Sequence, residues 1–196
     1  MGLARGKKSI FKKILTVLAV TTLSVGSAQA LTIDNFTTNQ LVIDGSGGGA
    51  ASSTASDIVN ILGTDRTISV EQIGPGTTPS SVSINVGTSG LLTLGNTDAF
   101  SVSNITYNGI GGGDLGGVDV TEDGSLNAFG LLVVAGDFST NIALTVSDGV
   151  NTSSLMIPTP GLASFVPFFA YAPFVGDPVD FTSIDSIYIA LLTTNT

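Results

Sequence analysis

Short segments in which every second residue is apolar recur from residue 31 to residue 192, separated by clusters of Gly, Asp, Asn and Pro. "RTISVEQIG" (66–74) places Ile68, Val70 and Ile73 among polar residues, and "SVSINVG" (81–87) puts Val82, Ile84 and Val86 on one face. Segments 31–36, 117–121, 128–136, 141–149, 153–158 and 183–192 read the same way, 99–107 does so with a break between Val102 and Ile105, and 40–44 is a short apolar run. A period of two over five to ten residues, rich in Val, Ile and Thr, is the signature of strands with one buried face. The breakers "DGSGGG" (44–49), "GPGTTPSS" (74–81), "NGIGGG" (108–113) and "SDGVN" (147–151) supply turn chemistry. Only "ASSTASDIVNILG" (51–63) is long enough for a helical turn, and its Ser and Thr content argues against one. Some ten short strands without helical periodicity predict an all-β fold, a two-sheet antiparallel β-sandwich. The strand count favours a jelly-roll-like version over an immunoglobulin-like one. Ser and Thr make up about a quarter of residues 31–196 and fill the solvent-facing strand positions.

Residues 1–30 have a different character. A basic stretch, "RGKKSIFKK", precedes the apolar run Ile14 to Val25, and "SAQA" ends at Ala30 with small residues suited to cleavage. That order predicts a signal peptide, removed before Leu31. The apolar run is shorter than the roughly 20 residues that a bilayer requires. The expected product is secreted, extracellular or on the cell surface, as one domain over 31–196 with no membrane span.

Cleavage would also reset the charge. Five of the six basic residues lie in the first thirty positions and all fifteen acids lie after them, so Arg66 alone faces them at a formal −14. Such a surface repels nucleic acid and attracts cations. The chain has neither Cys nor His. It therefore relies on packing without disulfides and lacks the commonest general base and zinc ligand.

The stretch "GGGDLGGVDVTEDG" (111–124) contains G-x-G-x-x-G at Gly111, Gly113 and Gly116. A dinucleotide cradle requires a helix after those glycines, whereas "GGVDVT" is strand-like. Asp114, Asp119, Glu122 and Asp123 make calcium the better functional candidate, because hard cations want several carboxylate and carbonyl oxygens. Neither the EF-hand spacing nor a tandem glycine-aspartate nonapeptide is present, and the plainer reading makes Asp114, Glu122 and Asp123 turn residues and Asp119 a solvent-facing strand position. No other cofactor is indicated, and neither a Ser–His pair nor a marked carboxylate pair suggests an enzyme. "SFVPFFAYAPF" (164–174) is the one aromatic concentration. It reads as a core-packing edge strand, with an apolar sugar platform as the alternative. The sequons at Asn35, Asn104 and Asn151 matter only in a eukaryotic secretory route.

Three blocks resemble secreted bacterial β-sandwich proteins of the PEP-CTERM, exosortase-sorted type. They are "IDNFTTNQLVID" (33–44), "GGDLGGVDVTEDGSLNAFGLLVVAGDF" (112–138) and "PFFAYAPFVGDPVDFTSIDSIYIALL" (167–192). The resemblance implies export and sorting to the cell surface or exopolysaccharide matrix, and it carries no catalytic residues. It also implies a further strand and a Pro-Glu-Pro sorting tail, where this sequence has "LLTTNT", so the chain reads either as a truncated product short of its final strand or as an anchorless form. The reading at this point is an exported, non-enzymatic acidic sandwich with a structural or adhesive role. The alternative is a module that binds calcium or carbohydrate. Polysaccharide and calcium are the candidate partners, and nothing in the sequence fixes an oligomeric state.

Overall fold

The computed structural model describes residues 31–45, 49–73, 81–86, 92–97, 101–130, 140–158, 168–171 and 173–193. Residues 1–30, read as a signal peptide from sequence, lie outside the described residues, as do parts of the predicted 128–136 strand and of the 164–174 aromatic stretch.

Twelve strands occur among the described residues. In chain order they are β1 (Gln40–Gly45), β2 (Ala51–Ser56), β3 (Asp65–Gln72), β4 (Ser81–Val86), β5 (Leu92–Thr97), β6 (Ser101–Tyr107), β7 (Ala128–Gly130), β8 (Thr140–Ser147), β9 (Thr152–Pro158), β10 (Phe168–Ala170), β11 (Val175–Gly176) and β12 (Ser186–Thr193). All pairings between them are antiparallel. One sheet has seven strands in the order β11-β9-β8-β12-β6-β3-β2, a second has three in the order β1-β4-β5, and β10 and β7 form a ribbon. The molecule is all-β with two antiparallel sheets, as expected of a sandwich. The described strands divide seven and three, and they do not establish a jelly-roll connectivity.

Alternation decides which side of the large sheet is covered. Ile68 and Val70 of β3, Ile105 and Tyr107 of β6, Ile142, Leu144 and Val146 of β8 and Ile187 of β12 all point inward and are buried. They share one core with Val42 of β1 and Val86 of β4. Each fully buried aliphatic side chain contributes about 1.5–3 kcal/mol over its exposed state, so this shared face holds the sheets together. β12, the last of the described strands, lies between β8 and β6 and pairs with both. Its predicted strand therefore forms the centre of the sheet.

Several segments depart from the expected pattern. Residues 51–63 hold no helix: 51–56 are β2, and Asp57 caps the turn that follows. Residues 31–36 and 117–121 form isolated bridges, Asp34 to Ile61 and Val118 to Ile184, in place of strands. The cause is the same in both. Asp34 Oδ1 accepts the Phe36 amide and Asp119 Oδ1 accepts the Thr121 amide, so side chains capture backbone donors that a ladder would need.

Candidate functional site

The one basic residue after position 30 is buried. Arg66 shares the inward parity of Ile68 and Val70, so strand alternation drives its guanidinium into the core, where it is 0% exposed. Its Nη1 donates to Asp34 Oδ2 at 2.7 Å, Nε to Gln40 Oε1 at 2.8 Å and Nη2 to the Thr38 carbonyl at 2.7 Å. The Phe36 ring covers it at 5.6 Å. Asp34 Oδ2 also accepts the Tyr107 hydroxyl at 3.0 Å, and Gln40 donates through Nε2 to Ser53. Burial, and then the Asp34 charge, push the Tyr107 phenol well above its ordinary pKa, so it stays protonated. Each charge in this cluster has close partners, which makes it a clasp holding segment 34–40 to β2, β3 and β6.

Beside the clasp lies a cavity of about 470 Å³, bounded by Leu31, Ile33 and Phe36 on one side and by Phe129, Ile142 and Leu144 on others. Its lining is mostly apolar, and its polar groups include Asp34 and Tyr107, already bonded to one another. Next to it, Tyr171 stacks on Phe181 at 4.3 Å, and Phe129 meets Tyr171 edge-on at 5.1 Å. The Tyr171 hydroxyl donates to the Val120 carbonyl at 2.8 Å, and burial raises its pKa to about 12. Within the aromatic stretch Tyr171 and Phe174 are half-buried against Phe129 and Phe181, while Ala170 and Pro173 are exposed.

The glycine-rich loop and the turn after it hold the calcium candidates. β6 ends at Tyr107, and Gly109 turns the chain at φ 74° where an added Cβ would strike the Asp114 backbone. A short 3-10 turn, Ile110–Gly112, follows, and the Gly111 amide donates to Asp65 Oδ2 at 2.9 Å. Residues 115–120 then run alongside 181–185: Leu115 N donates to Asp185 O, Gly117 N to Asp185 Oδ1 and Val120 N to Phe181 O. These glycines fit a tight crossing, and no helix opens after them for a dinucleotide.

Asp114 is exposed in the first part of this loop. Asp119, Glu122 and Asp123 belong to the next turn, where Glu122 and Asp123 adopt φ of 51° and 55°. The Asp119 carboxylate accepts the Thr121 hydroxyl at 2.6 Å, the Thr121 amide at 2.7 Å and the Asp123 amide at 3.0 Å. Those donors, the Thr121 hydroxyl foremost, hold its pKa below the usual carboxylate range. The fold brings three of the four candidates into one turn and leaves Asp114 apart. Among the described residues, no group of three or more acidic side chains is placed to hold a metal ion.

The same use of carboxylates recurs. Asp57 accepts the Thr38 hydroxyl and the Val59 and Asn60 amides, Asp148 the Val150, Asn151 and Asp180 amides, and Asp180 the Thr182 amide. Asp57 is held far below its ordinary pKa, chiefly by the Asn60 side chain, and Asp148 falls to about 2, chiefly through the Asn151 amide. Sequence reading missed the Arg66 clasp, although a lone arginine on the inward parity of an otherwise apolar strand was its visible sign. No family model, no curated protein and no solved structure matches the chain.

Proposed function

We propose that the chain is an exported, non-enzymatic acidic β-sandwich protein of the cell surface or exopolysaccharide matrix, with a structural or adhesive role. The observation that carries this reading is how the carboxylates are used. Acid–base catalysis favours carboxylates with raised pKa values, poised to give up or take a proton. Asp57, Asp65, Asp119 and Asp148 are instead shifted downward by donors, mostly from their own turns. Acids used this way stiffen loops and keep the surface anionic. The basic-then-apolar order of residues 1–30 supports export, and the resemblance to exosortase-sorted proteins supports the surface or matrix as destination.

Fractionating producing cells into cytosol, envelope, medium and extracellular matrix tests the reading. The expected result is recovery with the envelope, medium or matrix as a chain whose N-terminus is Leu31. Recovery in the cytosol with residues 1–30 intact would overturn it.

A further inference from the structure

The outward face of the seven-stranded sheet has an order that the inner core does not require. One cross-strand row runs Thr54–Thr67–Thr106–Tyr188–Thr145–Ser154, with each residue directly opposite the next. Six neighbouring strands (β2, β3, β6, β12, β8 and β9) thus each place a hydroxyl on the same line. The next row is Ser52–Ser69–Asn104–Ala190–Ala143–Met156. Neither row contains a charge, in a chain whose acids outnumber its post-leader basic residues fifteen to one. At about 4.8 Å per strand, the hydroxyl row spans roughly 24 Å.

The row is open to solvent. Thr54 and Ser154 are exposed, and Thr67, Thr106, Tyr188 and Thr145 are half-buried, as befits neighbours within a sheet. Tyr188 sits between Thr106 and Thr145, and Ala190, the next residue on the same face of its strand, is buried beside it. Thr54 and Thr67 approach to 2.9 Å and Thr145 and Ser154 to 2.8 Å, which fixes the hydroxyls at either end of the line.

From this placement we infer that the outward face binds a single uncharged polysaccharide chain, laid across the strands with Tyr188 as its central platform. The inference rests on the proposed matrix role and names the partner class. Charge selects the ligand: an uncharged strip suits a neutral glycan, while the acids elsewhere on the chain repel anionic polymers. Shape selects it too. Successive strands are rotated by roughly 20–25°, so the row follows a twisted surface. A flexible chain can follow that twist, whereas a flat crystalline lattice cannot. Hydroxyls offer both donors and acceptors to sugar hydroxyls, and an aromatic ring offers an apolar face to the C–H side of a pyranose.

The test is affinity electrophoresis of the purified chain through gels containing hydroxyethyl cellulose, galactomannan, dextran or alginate. Retardation is expected in at least one neutral polymer and not in alginate. Tyr188→Thr, which keeps a strand-compatible residue, is expected to weaken that retardation at least tenfold, and Tyr188→Phe to preserve most of it. Thr106→Val/Thr145→Val, nearly isosteric, is expected to weaken it several-fold without moving the melting temperature by more than a few degrees. Three results would each overturn the inference: no retardation by any neutral polymer, equal retardation by alginate, or retardation unchanged in both Tyr188→Thr and the double valine variant. A chain that co-fractionates with the matrix yet fails in all neutral gels sinks only this inference. A cytosolic chain sinks the underlying reading.

Discussion

Arg66 shows what one misplaced charge would do to this molecule. Its guanidinium reaches Asp34, Gln40 and the Thr38 carbonyl through three different nitrogens, and that fork geometry belongs to arginine alone. Removing one member of a buried ion pair leaves the other charged and dry, at a cost of about 3–5 kcal/mol. Arg66→Met should therefore lower stability by that amount in urea melts. Arg66→Lys should recover only part of the loss, because an ammonium cannot span the three acceptors. Pairing Arg66→Met with Asp34→Asn should cost less than Arg66→Met alone, since no uncompensated carboxylate remains. If Arg66→Met costs under about 1 kcal/mol, the cluster is no clasp. Tyr107 enters the same argument as a second donor: its hydroxyl and Arg66 both donate to Asp34 Oδ2, so it gains importance once the arginine is gone.

Turns set the limits of the strands. Gly109 lies at φ 74° with the Asp114 backbone where a side chain would go, whereas Gly111 lies at φ 63° with open space around it. Gly111→Ala should cost only the roughly 1–2 kcal/mol of a left-handed residue. Gly109→Ala adds a backbone collision and should lower the melting temperature clearly further, as scanning calorimetry of the two variants would show. Equal effects would mean that the loop has slack and that the close approach does not shape it. Competition by turns also explains which elements were legible in the sequence. Strands β3, β8 and β9 set most of their large apolar side chains on one parity, and alternation shows them. β1 was legible only as a short apolar run, because Leu41 and Ile43 face outward while Gln40, Val42 and Asp44 face inward. β2 was missed because its inward residues are Ala51, Ser53 and Ala55, too small and polar to mark a period. "GVDVT" and "LTIDNF" alternate as strands do, yet in each an aspartate takes the amide two residues on and ends the ladder before it starts. Asp119 read as a solvent-facing strand residue and instead caps the turn that follows it, whereas Asp114, Glu122 and Asp123 could be placed in turns from sequence. The Arg66 clasp could not, because Asp34 and Tyr107 lie 32 and 41 positions from Arg66 and only strand pairing brings them together.

For the molecule as a whole, acids act in two opposite ways, and pH separates them. At neutral pH a formal charge of −14 over residues 31–196 destabilises the compact state by self-repulsion. Lowering the pH towards the ordinary carboxylate range relieves that repulsion, so stability should first rise. Asp57, Asp65, Asp119 and Asp148 work in the other direction. Their folded pKa values lie below the unfolded ones, so between the two values the unfolded chain binds more protons, and acid favours it. The stability they supply is complete above the unfolded value of 3.8 and, for Asp148, is lost as pH falls from there through about 2. The melting temperature should therefore pass through a maximum near pH 4–5 and drop steeply below it. Added salt should raise it at pH 7, where repulsion dominates, and change it little near the maximum. Asp148→Asn can still accept the turn amides but has no charge to lose, so its acid limb should be shallower than that of the parent chain. Circular-dichroism melts from pH 7 to pH 2, with and without 0.5 M sodium chloride, read all three effects. A melting temperature that climbs steadily down to pH 2 would mean that repulsion outweighs the capped turns throughout, and that these aspartates shape loops without holding the fold.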